Sequence, residues 1–269
     1  MTFEQIDRKQ CKWEAAELLR DAQVSPKAMT ALYMGLIIVL ELFSSLVDTG
    51  FFGIFLSILV SLISTVLASG FALYCMAVRR GERAEFLTLF DGFSFVGKLI
   101  LLDILFSLFV FLWSLLFIIP GVIAAYRYGF AFYNLYEDPS LGVMEALDMS
   151  KRQTLGYKSQ LFVLDLSYIG WVLLASLPTL LLIFQINRDL TMSVLYGIPV
   201  PSTYFGLPIF ILNAVFGLWQ LLVALFYVPN CICVKLSYFD VAKRTSGVGL
   251  GTEEPSAPWD GWNAPDGLG

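Results

Sequence analysis

The sequence predicts an all-α fold: a polytopic transmembrane helical bundle of about six spans with both termini in the cytoplasm. Three observations predict it. Hydrophobic residues make up 58% of the 269 positions and charged residues only 14%, whereas soluble domains average about 25% charged because their surface must face water. The apolar residues are gathered into long runs, and a helix needs about 20 such residues to cross a bilayer core. The basic residues, finally, fall between alternate runs rather than evenly along the chain.

Residues 1–27 are amphipathic rather than apolar. Phe3, Ile6, Trp13 and Ala16 follow a helical period among Arg8, Lys9, Lys12 and Arg20. The pattern fits either an interfacial helix with snorkelling basic side chains or a solvated helical cap, and Ser25-Pro26 ends it. So long a polar start is no signal-peptide n-region, so the first span is expected to insert as an uncleaved anchor. That span, about 28–47, is interrupted by Glu41, and Asp48-Thr49-Gly50 follows as a turn. The second span, 51–78, carries Ser57, Ser61, Thr65 and Ser69 at four-residue spacing. Small residues so spaced let helices approach closely in lipid, which predicts a helix-packing seam.

A polar loop from Arg79 to Lys98 contains a short apolar helix (Phe86, Leu87, Leu89, Phe90), and the third span covers about 99–119. Pro120-Gly121 reads as a helix-breaking turn. The chain then returns through 122–136, rich in tyrosine and phenylalanine and short for a crossing. A full fourth span and a re-entrant hairpin both fit that length. Asp138-Pro139 looks like an N-cap with proline at the first helical position, opening a cytoplasmic amphipathic helix at about 139–155. The fifth span covers about 161–184, with a kink expected at Pro178. A turn-rich loop at 185–207 leads to the sixth span, about 208–234, with a second kink expected at Pro229. The six-span domain thus covers 28–239. Residues 240–269 end in a Gly-, Pro- and acid-rich tail that is expected to be disordered; Trp259 and Trp262 within it have docking-motif character.

Charge gives the orientation independently of the span count. Lys and Arg number five in residues 1–27, four in 79–98, three in 137–160 and three in 235–269, while the loop at 185–207 holds only Arg188. Cytoplasmic loops carry the excess of positive charge, so alternate loops, and with them both termini, are placed inside.

Little in the sequence points to catalysis. There is no histidine, which removes the commonest general base and metal ligand at neutral pH. No phosphate-binding, metalloprotease or nucleophile-elbow motif occurs. The four cysteines (Cys11, Cys75, Cys231, Cys233) form no disulfide framework. The chain is therefore expected to be no enzyme and to hold no metal or cofactor. No basic stripe points to nucleic acid. The expected partners are the lipid bilayer and a second copy or another membrane protein.

Four ionisable residues fall in or at the edge of apolar runs: Glu41, Asp103, Arg127 and Asp165. Each costs about 2.5–3.5 kcal/mol at a bilayer centre on insertion scales, so each should face protein or water. Asp103 and Asp165 lie near the cytoplasmic ends of their spans, where that cost falls. Arg127 lies near mid-span, with Asp103 and Asp165 as expected partners. A register-fixing ion pair is one reading, an anion or lipid-headgroup contact another. Glu41, in the outer half of its span, has the placement of a proton carrier but no evident second group.

The stretch FIIPGVIAAYRYGFAFYNLYEDPSLGVMEALDMSKRQTLGYKSQLFVLDLSYIGW at 117–171 resembles the signature region of the bacterial membrane family called domain of unknown function 975. Ile119-Pro120-Gly121, the tyrosine-rich short span, Asp138-Pro139, Glu145-Ala146, Ser150, Gly156 and the closing SYIGW carry the likeness, which extends over most of 1–240. The chain is also distantly similar to the membrane domain attached to some glycerophosphodiester phosphodiesterases. The resemblance implies a bacterial cytoplasmic membrane protein and no particular activity. Two function classes remain: a non-enzymatic protein that organises the membrane or binds partners, and a small-solute or lipid transporter with a polar cavity around Arg127.

Overall fold

The structure, a computed structural model, describes residues 4–45, 50–201, 203–205 and 207–249. The protein is an all-α bundle. Its helices are α1 (Arg8–Arg20), α2 (Pro26–Ser45), α3 (Phe51–Arg80), α4 (Val96–Leu116), α5 (Ile118–Tyr128), α6 (Phe130–Glu137), α7 (Val143–Gln153), α8 (Lys158–Leu166), α9 (Ile169–Tyr196) and α10 (Ile209–Ser246). A 3-10 segment, Phe86–Phe95, precedes α4, and an antiparallel pair of two-residue strands, β1 (Thr203–Tyr204) and β2 (Leu207–Pro208), precedes α10. Among the described residues, five helical stretches are long and apolar enough to cross a membrane: α2, α3, the 3-10 segment with α4, α9 and α10. It is a membrane protein.

The expected fourth span is built from two shorter helices, α5 and α6, of 11 and 8 residues. Gly129 joins them with its backbone still right-handed helical (φ −61°, ψ −31°), so the path hardly breaks. Residues 118–137 run back along α4 for its whole length. Phe109 stacks on Tyr128, Phe106 meets Phe132 edge-on, and Phe95 lies beside Tyr136, with ring centroids 5.4, 5.5 and 6.3 Å apart. The Lys98 ammonium, at the start of α4, donates to the carbonyls of Pro139, Ser140 and Leu141 just past α6. The chain therefore returns to the end of the bundle it left.

Several local expectations need correcting. The turn before α5 is made by Phe117, whose backbone is extended (φ −162°, ψ 155°), and Pro120 lies inside the first turn of α5. Proline is tolerated there because the first helical N–H groups have no intrahelical acceptor. Gly121 serves close approach: a Cβ on it would lie 1.9 Å from Ser114 Oγ of α4. The helix expected from Pro139 starts at Val143, capped by Gly142. Asp138 instead accepts from the Ser140 N–H and hydroxyl, bonds that hold its carboxyl below the usual range. Residues 185–196 continue α9, because no glycine or proline interrupts them before Gly197, which ends the helix at φ 68°. Where the two kinks are expected, α9 and α10 stay helical through Pro178 and Pro229, as a proline-kinked helix also does. Residues 240–246, expected in the tail, are the last two turns of α10. The rest of that tail, 250–269, with Trp259 and Trp262, lies outside the described residues, as do Asp48 and Thr49 of the expected turn.

Packing is uneven along the bundle. One end gathers Arg79, Arg80, Lys98, Lys151 and Lys243 and is called the basic end here; both α1 and the close of α10 lie at it, with α1 packed on α10. The largest cluster of buried side chains lies toward this end and includes Phe71, Tyr74, Cys75, Tyr157, Tyr238 and Phe239. Polar links tie it together. Arg79 pairs with Asp240 and donates to Ser237 Oγ and the Cys233 carbonyl. Glu137 pairs with both Arg80 (3.0 Å) and Lys243 (2.6 Å). The Tyr157 hydroxyl bonds Thr245 and accepts from the Glu4 N–H. Asn134 of α6 and Gln153 of α7, fully buried, exchange two amide hydrogen bonds of 2.9 and 2.8 Å.

The 3-10 segment lies against α3 at almost backbone contact. A Cβ on Gly70 would sit 1.8 Å from the Leu89 carbonyl oxygen, and one on Gly92 would sit 2.1 Å from Ser69 Oγ. Its outward side chains, Phe86, Leu87, Phe90 and Phe93, are exposed, the composition of a segment lying in a membrane interface. Away from the basic end α9 buries only Leu182, within a small cluster with Tyr204 and Leu212.

Candidate functional site

The four ionisable residues singled out from the sequence do not form one cluster. Asp165, in the last turns of α8, pairs with Lys235 of α10 at 2.8 Å and accepts from the Tyr126 hydroxyl at 3.0 Å. Arg127 is the next residue after Tyr126, and neighbouring helical positions point about 100° apart. Its turn therefore faces α7, where its carbonyl accepts from Ser150 (2.8 Å) and Thr154 (3.3 Å). The guanidinium lies 5.7 Å from the Tyr128 ring centre. Among the described residues Arg127 makes no ion pair, so neither expected partnership forms; Asp103 makes none either. The partner of Asp165 was missed because Lys235, seventy positions away, counts from sequence alone as one more charge of a basic terminal segment.

This arrangement has a measurable consequence. Arg127→Leu should change the unfolding free energy of the purified protein little, within about 0.5 kcal/mol, because the half-buried guanidinium leaves no ionic partner stranded. Asp165→Leu, which strands the Lys235 ammonium and the Tyr126 hydroxyl, should cost about 1–3 kcal/mol. A larger loss from Arg127→Leu than from Asp165→Leu would contradict the assignment.

Glu41 stands apart, on the last turn but one of α2, about 22 Å along the helix from Pro26 at 1.5 Å per residue. It borders two cavities. One, of about 860 Å³, opens between α2 and α3 and is lined by Glu41, Ser44, Ser57, Ser61 and Ser64 among others. The other, of about 220 Å³, lies toward α9 and α10 and presents Thr179, Asn213 and Gln220 to the same carboxylate. Gln220 donates to Thr179 Oγ1 at 3.2 Å. Close approach of α10 to α2 at Gly217, where a Cβ would lie 3.2 Å from Ile38, brings these polar groups beside Glu41.

The expected packing seam divides accordingly. Ser69 is buried beneath the 3-10 segment, but Ser57 and Ser61 are exposed along the larger cavity. Ser57 and Thr65 bond back to their own helix, at Gly53 and Ser61. Across that cavity Ser57 also meets Ser44 of α2, with the two hydroxyl oxygens 3.4 Å apart, so Ser57 and Ser69 each touch a different neighbouring element. Asn213 and Gln220 are uncharged and so leave no mark in the charge pattern of the sequence, although an amide in an apolar run also needs a partner in lipid.

The sequence model of a family described as "Protein of unknown function (DUF975)" matches residues 1–131 and again 115–227. No curated protein and no solved structure matches the chain.

Proposed function

The chain belongs to the DUF975 family of proteins of unknown function, and since that description assigns no activity, we propose from the geometry that it is a non-enzymatic membrane-organising protein. In this reading it crosses a bacterial cytoplasmic membrane six times, both termini lie in the cytoplasm, and the basic end is a fixed platform at the inner leaflet. The observation that carries it is the one-ended distribution of polar links. Arg79–Asp240, Glu137 with Arg80 and Lys243, Asn134–Gln153 and Tyr157–Thr245 all lie there. They engage the polar groups in holding helices together rather than in a reactive constellation. The excess of positive charge at the same end supports its cytoplasmic placement. Exposed Trp13, Phe86 and Leu87 beside it suit a surface that meets lipid or a second membrane protein.

Sidedness is checked with single added cysteines and a membrane-impermeant maleimide. Ile119→Cys should label from outside intact cells, and Ser140→Cys only after the inner face is opened. Labelling of Ser140→Cys from outside would overturn the orientation, and no outside access at Ile119→Cys would argue against a fourth crossing.

One observation favours a second reading, solute handling: Glu41 faces Asn213, Gln220 and Thr179 across a cavity at membrane depth, where an ionisable residue usually marks a pathway. Proteoliposomes containing an interior pH dye separate the two. The organising reading expects a proton leak no faster than in empty liposomes. A flux that Glu41→Gln abolishes would establish the second reading instead.

A further inference from the structure

We infer that the basic end carries a binding site for the phosphate headgroup of an anionic lipid, in a cavity of about 760 Å³ where α1, the start of α2, the start of α9 and the middle of α10 meet. Three cationic residues line it, Lys12, Arg20 and Lys27, and no carboxylate does. Trp171 provides an aromatic wall: its ring stacks on Phe226 and on Tyr227, with centroids 6.4 and 6.2 Å apart and planes within 14°. Charge complementarity therefore selects an anion, and the aromatic wall selects a ligand with an apolar part. Tryptophan and tyrosine favour the headgroup level of a bilayer for the same reason.

The cavity is built rather than incidental. The Lys12 ammonium lies 3.9 Å from the Tyr168 ring centre and donates to Ser167 Oγ at 2.8 Å, so it is held at the wall instead of sweeping through solvent. The Tyr168 hydroxyl donates to the Asn230 side chain, which in turn donates to the Lys12 carbonyl. This chain of bonds fixes α1 against α9 and α10. Lys27 extends over Phe226 at 5.6 Å. Partial burial lowers Lys12 from the ordinary lysine range, and a phosphate beside it offsets that penalty by favouring the charged form. The walls continue into the exposed apolar face of α9, with Val172 and Leu173, which gives an acyl chain a path out of the cavity. A free phosphate or an acidic peptide has no use for that path.

The inference rests on the reading that the basic end meets a lipid leaflet, and its test does not depend on which leaflet that is. Full-length protein in a neutral detergent is titrated with phosphatidylglycerol, phosphatidylcholine or glycerol phosphate, and thermal unfolding is followed. Phosphatidylglycerol should raise the midpoint in a saturable way, phosphatidylcholine much less, and glycerol phosphate hardly at all. Each basic residue near an anionic surface contributes about 1 kcal/mol, roughly fivefold in affinity. Arg20→Gln with Lys27→Gln should therefore weaken the phosphatidylglycerol response about 25-fold, and Lys12→Gln alone about fivefold. Lys158→Gln and Arg244→Gln, which remove charges outside the cavity, should leave it unchanged. Both pocket residues of the double variant are exposed, so it should fold as the parent does. Equal responses to the two lipids, an unaltered response in the double variant, or stabilisation by glycerol phosphate matching that by the lipid would each overturn the site. Micelles have no sides, so a reversed orientation in the labelling experiment would remove the cytoplasmic platform without touching this result.

Discussion

Gly70→Ala should destroy the folded protein or come close to it. The added methyl would start 1.8 Å from the Leu89 carbonyl oxygen and 2.5 Å from its carbon, where van der Waals contact requires more than about 3 Å. Both atoms belong to backbone, so no rotamer change relieves the clash; the 3-10 segment would have to move off α3 as a body. That movement uncovers Leu89, which is fully buried, and separates Gly92 from Ser69. Overpacking a well-filled core costs about 1–3 kcal/mol even where side chains can yield, so the loss should reach the upper end of that range or exceed it. Gly97→Ala is the control. Gly97 is the second residue of α4, and a methyl added there would meet nothing within 4 Å; alanine is also the better helix former, by at most about 1 kcal/mol. Thermal unfolding and size exclusion in detergent should show the first variant aggregated or strongly destabilised and the second unchanged or slightly stabilised. Equal behaviour of the two would mean that the 3-10 segment does not press on α3 as described.

The second large effect is expected at the amide pair. Asn134 and Gln153 are 2% and 0% exposed, and each satisfies the other, with further bonds to the Ala146 and Val248 carbonyls. Gln153→Leu leaves a buried carboxamide without its partner, at a cost of about 1–3 kcal/mol for each stranded group. Asn134→Leu does the same from the other side. With both replaced, no side-chain amide is left stranded and two leucines of similar size face one another. The double variant should therefore be less destabilised than the sum of the singles by about 1–3 kcal/mol, the coupling expected of residues in direct contact. Strict additivity in unfolding free energy would show that the pair is not a unit.

These two sites also show what could be read from the chain and what could not. The bilayer demands long apolar runs and penalises charge within them, so the helical class and the presence of several membrane-length apolar helices were legible in composition and spacing. The return of the chain along α4 was legible too, from the short tyrosine-rich stretch after Pro120. The purpose of Pro120-Gly121 was not. A Pro-Gly pair has the local chemistry of a turn, yet proline also suits a helix's first turn, and only the proximity of Ser114 reveals why glycine follows it. Partnerships between distant elements were equally hidden. Arg127 and Asp103 looked matched because both are charged and their spans adjoin, but helix rotation aims Arg127 at α7 and leaves Asp165 to Lys235. Uncharged amides such as Asn134, Gln153, Asn213 and Gln220 carry no visible excess in a charge count. Their importance appears only when burial or a shared cavity is known.

The clamped basic end also dictates an order of events during synthesis. Arg79 waits for Asp240, Glu137 for Lys243, the Lys12 carbonyl for Asn230 and Tyr157 for Thr245, so in each case the group that completes the bond arrives with the second half of α10. Until that half leaves the ribosome, the earlier helices can pair among themselves, as Arg80 does with Glu137 and Asn134 with Gln153, but none of them can be clamped to α10. A chain cut short before Asn230 would therefore keep the contacts among its earlier helices and lose all four of these links to α10.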